Sequence, residues 1–475
     1  MDKVWVLATL IGYGAALLGI GLRASRKAGT QEAFLLAGRD LGPWVAGLAY
    51  AASTSSAWVL LGYSGFVFVA GPSALWMVPG ILAGYAAVWL GAGPVLQRAS
   101  REAGHLTLTD FLAEDAGPGS ARAIRVLASA MIAFCFSYYV ASQFQGAGVA
   151  FTGLFDISLG TGVLIGAAVI LAYTFLGGFL AVSLIDTIQG LLMALVAVGL
   201  PTLAFVAAGG FPGIAAALAE RPDAYRDAFG GRAGLMAAGL VIGLGATGFG
   251  ALGQPHLAAW IMAARDRSAR IRGAAVAITW GFLVYSGMAV LGLSAHALFD
   301  GTVAPEGIFF AAAADLLPPA LAGVIAAATL SAIMSTVDSQ LLVAGGAVSH
   351  DLGLERVFPG RAVLMSRLAI VGVCAAAIIL TFALPSTIFE RTLFAWTALG
   401  ASFGPAVVVR AVGIRPGGRA VVLSMALGFA GSLAYEFALP GGPGDAFART
   451  VPWALAFLPV LARPGPGLKL RSQQF

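Results

Sequence analysis

The chain has 475 residues, 59% of them hydrophobic and only 10% charged, with a net charge of +5. A mean hydropathy of +0.90 leaves too little polar surface for a soluble globule of this length. Apolar runs of about 20 residues recur along it, as transmembrane helices require, and the basic residues are spread over short loops rather than gathered into a nucleic-acid-binding patch.

In chain order, the first apolar segment, Val4 to Leu22, follows only one basic residue, Lys3, and has no small-residue cleavage site. It reads as a retained first helix rather than a signal peptide. The pattern predicts helices near residues 3–22, 43–70, 74–96, 122–149, 159–180, 186–208, 234–264, 272–297, 319–348, 363–384, 387–411, 418–438 and 449–464. That makes about thirteen spans of an all-α integral membrane protein. Leu108–Ala113 and Glu306–Leu317 are predicted as short helices at the interface. The longest polar excursion is Gly209–Ala233, and the tail after Pro464 has about ten residues. The two cysteines, Cys135 and Cys374, both lie in apolar segments, so no disulfide framework is expected.

Basic residues test the count. With the N-terminus outside, twenty-one of the 27 Lys and Arg fall on the cytoplasmic side. That bias supports an odd number of spans, N-out and C-in, in a plasma (inner) membrane.

Helices 2–6 and 7–11 read as two sets of five that cross the membrane in opposite senses. The organisation is then 3–42 (first helix and loop), 43–208 (first repeat), 234–411 (second, inverted repeat) and 412–475 (two last helices and tail). Each set opens on a helix with a polar or glycine-rich middle. In helix 2 this is AASTSSAW, with Ser53, Thr54, Ser55 and Ser56 in a row. In helix 7 it is GLGATGFGALGQP, residues 243–255. Paired interrupted helices in inverted repeats point to a site at the midplane, where unwound backbone offers carbonyls and N–H groups. The alternative is that the glycines serve close packing and the hydroxyls bond one turn back.

Helix 9 contains AATLSAIMSTVDSQLL, residues 327–342. Ala332, Ser335, Thr336 and Ser339 share one helical face. Two hydroxyls plus a freed carbonyl are hard, neutral oxygen donors that suit a small alkali cation. Asp338 puts a carboxylate inside an apolar helix, at a cost of roughly 2.5–3.5 kcal/mol, so a cation or proton partner is expected. Asp186, at the predicted start of helix 6, reads either as a helix N-terminal carboxylate or as a second cation or proton contact. In helix 4, Tyr139, Ser142, Gln143 and Gln145 are polar residues at depth. His105, His256, His296 and His350 lie on four segments without metal-ligand spacing. Enzyme readings, an intramembrane aspartyl protease included, find no matching motif.

The chain resembles the sodium:solute symporter family, close to its sodium/proline branch. The resemblance runs from AYAASTSSAWVLLGYSGFVF through LTLTDF, YVAS, AYTFLGGFLAVSLIDTIQ, GQPHLAAWIMA and LSAIMSTVDSQLLV to AWTALGASFGP. It implies the thirteen-helix, inverted-repeat fold of amino acid/sodium symporters. It also implies a sodium site on Ala52, Ser55, Ala332, Ser335 and Thr336. A second cation or proton site would use Asp186, Asp338 and Ser339. Solute contacts would come from Ser53, Thr54, Ser56, Trp58, Tyr139, Gln143, Thr247, Ala251, Gln254 and Pro255. The chain departs from the branch at Thr54, where relatives carry an Asp, and at Thr247 and Ala251, where they carry Trp and Tyr. Losing two aromatics is expected to open the pocket and remove a stacking surface.

The expected function is sodium-coupled import of a small polar organic solute, an amino acid such as proline or a related carboxylate, by alternating access. Sodium is the coupling ion, with no organic cofactor. The partners are the solute and the lipid bilayer, with no nucleic acid and no obligate protein partner. Proton coupling and a transporter-like solute sensor are the alternatives.

Overall fold

In a computed structural model, residues 3–25, 30–174, 178–299, 303–318, 321–358, 361–384, 386–439 and 445–462 are described. Helices dominate, and an isolated parallel bridge between Leu41 and Ala264 is the one β contact among these residues. Arg26, Lys27 and the tail after Pro464 lie outside the described residues.

Thirteen crossings follow. We label them α1 (Lys3–Ser25), α2 (43–70), α3 (77–102), α4 (Pro118–Phe155), α5 (Leu159–Thr174), α6 (Phe179–Ala207), α7 (234–263), α8 (Arg267–Leu298), α9 (Ala322–Gly346), α10 (Ala362–Ala383), α11 (Ile388–Ala411), α12 (Gly418–Phe437) and α13 (Ala446–Ala462). Ten apolar stretches among the described residues are long enough to cross a membrane unaided. One of them, Trp58–Glu102, holds the second half of α2 and all of α3. The chain turns back between them at Gly71, whose φ of +65° a side chain would strain. Shorter α5 and α13 complete the set. Leu108–Ala113 forms the short helix expected of it, and Glu306–Leu317 becomes a 3-10 turn, Pro305–Gly307, followed by a helix, Ile308–Leu316.

Burial separates centre from periphery. In α9 and α11, 94% of the apolar window is enclosed by protein, against 17% in α1. Lipid offers no hydrophobic force between helices, so close backbone packing and interhelical hydrogen bonds must hold the centre. Glycines supply the first. A Cβ on Gly84 of α3 would lie 2.0 Å from Gly248 O of α7, and one on Gly248 would lie 1.9 Å from Gly80 O. A Cβ on Gly47 of α2 would lie 2.6 Å from Gly273 O of α8. The four helices α2, α3, α7 and α8 are thus packed to backbone contact.

Polar groups join these helices at the end that carries most of the arginines. The carbonyls ending α7 accept from Gln97 Nε2 (Ala264, 2.8 Å) and Arg101 (Ala264, 2.9 Å; Arg265, 2.7 Å). Arg270 of α8 donates to Gln97 Oε1 and to Trp89 O of α3. Leu41, just before α2, exchanges backbone hydrogen bonds with Ala263 and Arg265.

Candidate functional site

The serine–threonine run breaks α2. Its first half ends at Thr54, and Ser55 leaves helical geometry at φ −117°, ψ 63°. Short hydroxyl side chains drive this by competing for backbone carbonyls: Thr54 Oγ1 donates to Ala51 O at 2.7 Å. The helix resumes with a π turn, Trp58–Tyr63. A break buried in the bundle must have its backbone groups satisfied. Ala57 N–H donates to Gln143 Oε1 of α4 at 3.1 Å. Gln143 Nε2 lies 3.0 Å from Ser56 Oγ and 2.9 Å from Ser142 Oγ, and Tyr139 OH lies 3.4 Å from Ser56 Oγ.

The glycine-rich stretch breaks α7 in the matching place. Gly234–Phe249 ends in a 3-10 turn, Gly250–Gly253; Gln254 is extended; and Pro255 opens the second half, Pro255–Ala263. Here α11 does the bracing. Gln254 Nε2 donates to Trp396 O at 2.9 Å, and Trp396 Nε1 donates to Thr247 O at 2.8 Å. A Cβ at Gly250 would strike the Trp396 ring, and one at Gly253 the carbonyl of Leu399. Close packing and interruption are therefore both present, and Gly250 and Gly253 serve both.

Beside the α2 break stands the hydroxyl face of α9. Ser335 Oγ lies 3.3 Å from both Ala52 O and Ala332 O. Thr336 Oγ1 lies 3.1 Å from Ser53 O and 3.3 Å from Ala332 O. All these residues are fully buried. Three carbonyls and two hydroxyls thus converge between two helices, with no net charge, which is the chemistry that replaces the hydration shell of an alkali cation. The buried Ser55 hydroxyl has no hydrogen-bond partner among the described residues.

On the next face, Ser53 Oγ lies 3.1 Å from Ser335 O and 3.3 Å from Asp186 Oδ2. The Asp186 and Asp338 carboxylates are close enough to act on each other electrostatically, and both are buried. Ser339 Oγ bonds back to Thr336 O (3.0 Å) and Ser335 O (3.2 Å). The N-terminal-carboxylate reading of Asp186 is corrected: α6 starts at Phe179, two turns earlier, with Gly178 before it. Asp186 is an interior residue.

On the far side of the α2 break lies a cavity of about 350 Å³, opening included, lined by Trp58, Ile81, Tyr85, Thr247, Gly248, Tyr285, Thr392, Leu393 and Trp396. Of the proposed solute contacts, Trp58 and Thr247 line it. Thr54 reaches it indirectly, through hydrogen bonds of its hydroxyl to Tyr85 OH and of Trp58 Nε1 to its carbonyl. Ser53, Ser56, Tyr139, Gln143, Ala251 and Gln254 stand outside its lining, and Pro255 lines a different cavity. Gln145 faces away and donates to Ser386 O. Tyr85, Tyr285 and Trp396 carry little sequence signal as single aromatics in apolar helices, and of the three only Trp396 lies in a stretch resembling the family, AWTALGASFGP. They restore the aromatic surface whose loss Thr247 and Ala251 suggested.

Known proteins carry the same plan. The sequence profile of the sodium:solute symporter family matches residues 34–413. The chain belongs to this family. The high-affinity proline transporter PutP of Bacillus subtilis is 33% identical over 403 residues, spanning 83% of this chain and 84% of its own length. The sodium/proline symporter of Escherichia coli is 30% identical over 419 residues, spanning 85% of this chain and 82% of its own. A Na+-coupled sialic acid symporter, solved in a substrate-bound outward-open state, superposes with a TM-score of 0.79 at 16% identity, covering 96% of this chain and 97% of its own. That likeness supports the fold. The symporter is a multi-pass membrane protein that couples solute import to sodium, and it is a transporter rather than an enzyme.

Proposed function

We propose that this symporter imports a small zwitterionic amino acid, proline or a close analogue, with sodium held between α2 and α9. The observation that carries the reading is the convergence of Ala52, Ser53 and Ala332 carbonyls with the Ser335 and Thr336 hydroxyls beside an aromatic-walled cavity. Sodium takes these oxygens and the carbonyl of Ser55, and so orders the break in α2. The solute sits across the break from it, its apolar body between Trp58, Tyr85, Tyr285 and Trp396. Gln143, Ser56 and Tyr139 hold the break rather than the solute; Gln254 does the same for α7.

Residues 43–208 and 234–411 are the two inverted repeats, flanked by 3–42 and 412–475. The arginine-rich face is cytoplasmic, with the N-terminus outside. Alternating access follows when α2, α3, α7 and α8 rock against the remaining helices. Coupling arises because sodium binds the solute-ready arrangement better than its alternative. Asp186, Asp338 and Ser339 form a second cation or proton contact. The nearness of those two buried carboxylates supports a second reading, proton coupling.

The test is uptake of labelled proline into proteoliposomes under an inward sodium gradient, with potassium replacing sodium as control. Sodium-driven accumulation is expected. Uptake driven by a pH gradient in the absence of sodium would favour the second reading, and bound proline without flux would favour a sensor.

A further inference from the structure

A second cavity, of about 430 Å³ with its opening, lies on the other side of the site, toward the arginine-rich face. Pro255, Ala259 and Met262 of α7 line one wall, and Leu342, Val343 and Gly346 of α9 another. It therefore begins beside the α7 break. It ends at Asp351, fifteen residues beyond Thr336, a distance of about 20 Å along a helix. Leu35, Leu106, Leu108, Ile132 and Phe179 close it. The walls are apolar except at this far end, where Thr107, Thr109 and Asp351 meet.

Asp351 is 5% exposed. Thr107 Oγ1 donates to its Oδ1 at 2.8 Å, and the Thr109 hydroxyl also lies in reach. A carboxylate has about four acceptor positions, so two hydroxyls leave capacity unused. No ion pair to Asp351 occurs among the described residues. The nearby Asp110 is engaged elsewhere: its oxygens take His350 Nε2 at 3.0 Å, Leu106 N at 3.1 Å and Arg125 at 3.5 Å. Asp110, His350 and Asp351 bring ligating atoms within 4.8 Å of one another, and Asp110 and His350 are bonded to each other. Asp351 alone lines the cavity.

A buried carboxylate at the end of an apolar chamber suits a protonated amine carried on an apolar body. We propose that this chamber is a release-side station for the transported amino acid, with Asp351 receiving its ammonium group. The inference rests on the amino-acid reading above. The solute leaves the aromatic cavity as α7 and α9 part, its apolar body slides along Pro255, Met262 and Leu342, and its ammonium pairs with Asp351 before it enters the cytoplasm. A station of this kind lowers the barrier to leaving the central site and lets cytoplasmic solute bind back to slow import.

Asp351→Asn separates the two faces. Proteoliposomes are prepared with one orientation blocked, and the KM for labelled proline is measured from each side. Losing a charge-assisted hydrogen bond should raise the KM at the arginine-rich face by about tenfold, with the KM at the opposite face unchanged. Asp351→Glu should recover part of the loss. Should Asp351→Asn fail to fold, Val343→Trp fills the chamber from its rim, and the same one-sided rise is expected. Equal shifts at both faces, or no shift, would overturn the proposal. A shift in sodium affinity at the arginine-rich face with the proline KM intact would also overturn it, by naming sodium as the occupant. Failure of the parent protein to accumulate proline under a sodium gradient is a separate result, and sinks the amino-acid reading itself.

Discussion

Replacing Gln143 by Leu tests what the α4 amide does. Its carbonyl accepts the Ala57 N–H at 3.1 Å, and its NH2 lies 3.0 and 2.9 Å from the hydroxyls of Ser56 and Ser142. Leu keeps much of the bulk and removes all three contacts. The Ala57 N–H then has no partner in a fully buried break, at a cost of about 1–3 kcal/mol. That cost falls on the broken form of α2, which supplies the Ala52 and Ser53 carbonyls to the proposed sodium site. At the middle of the range, sodium affinity should fall by about 30-fold, and solute affinity should fall with it. The assay is a thermal-shift titration of purified protein with sodium alone, against potassium, then with proline at saturating sodium. A variant that keeps the parent's sodium midpoint but loses proline would refute the reasoning and return Gln143 to the solute contacts.

The other expectations concern separate parts of the bundle. Ser335→Ala combined with Thr336→Ala should leave a folded protein whose thermal shift no longer distinguishes sodium from potassium; an unchanged sodium dependence would remove these hydroxyls from the site. For Asp338→Asn, sodium titrations of uptake should show a changed midpoint or Hill slope, whereas curves that overlay the parent's make the residue structural. Gly248→Ala forces a Cβ to within 1.9 Å of Gly80 O. Overpacking of this kind costs about 1–3 kcal/mol, read as a lower unfolding temperature in detergent, while Gly245→Ala, whose added Cβ would meet nothing within 4 Å, should be near neutral.

Spans and interruptions were legible because both are local. Lipid demands about 20 apolar residues per crossing, and nothing in AASTSSAW or GLGATGFGALGQP meets that demand quietly. The hydroxyl face of α9 was equally plain, since helical spacing aligns Ala332, Ser335 and Thr336 whatever they touch. The start of α6 was not legible. FLGGFLAVSL offers no side-chain cap, so the apolar run continues past the true boundary and Asp186 looked terminal. The contact of Gln143 with the α2 break was not legible for another reason: its partner is 86 positions away, and a buried amide reads the same whether it meets solute or backbone. The cavity wall is assembled from α2, α3, α7, α8 and α11, so the replacement of lost aromatics by Tyr85, Tyr285 and Trp396 could emerge only from the fold. The Asp110, His350 and Asp351 group likewise joins positions 240 residues apart.

The glycine contact between α3 and α7 has a mechanical consequence. Gly80 and Gly84 meet Gly245 and Gly248 with no side chain between them to act as a bearing. A slide of either helix by a fraction of a turn drives a carbonyl into the opposing backbone. Tyr85 and Thr247, on opposite sides of that seam, must therefore travel together through the transport cycle. Spin labels placed at the N-terminal ends of α3 and α7 should report one sharp, invariant separation under every combination of sodium and solute. That pair makes an internal ruler against which movement of α9 can be read.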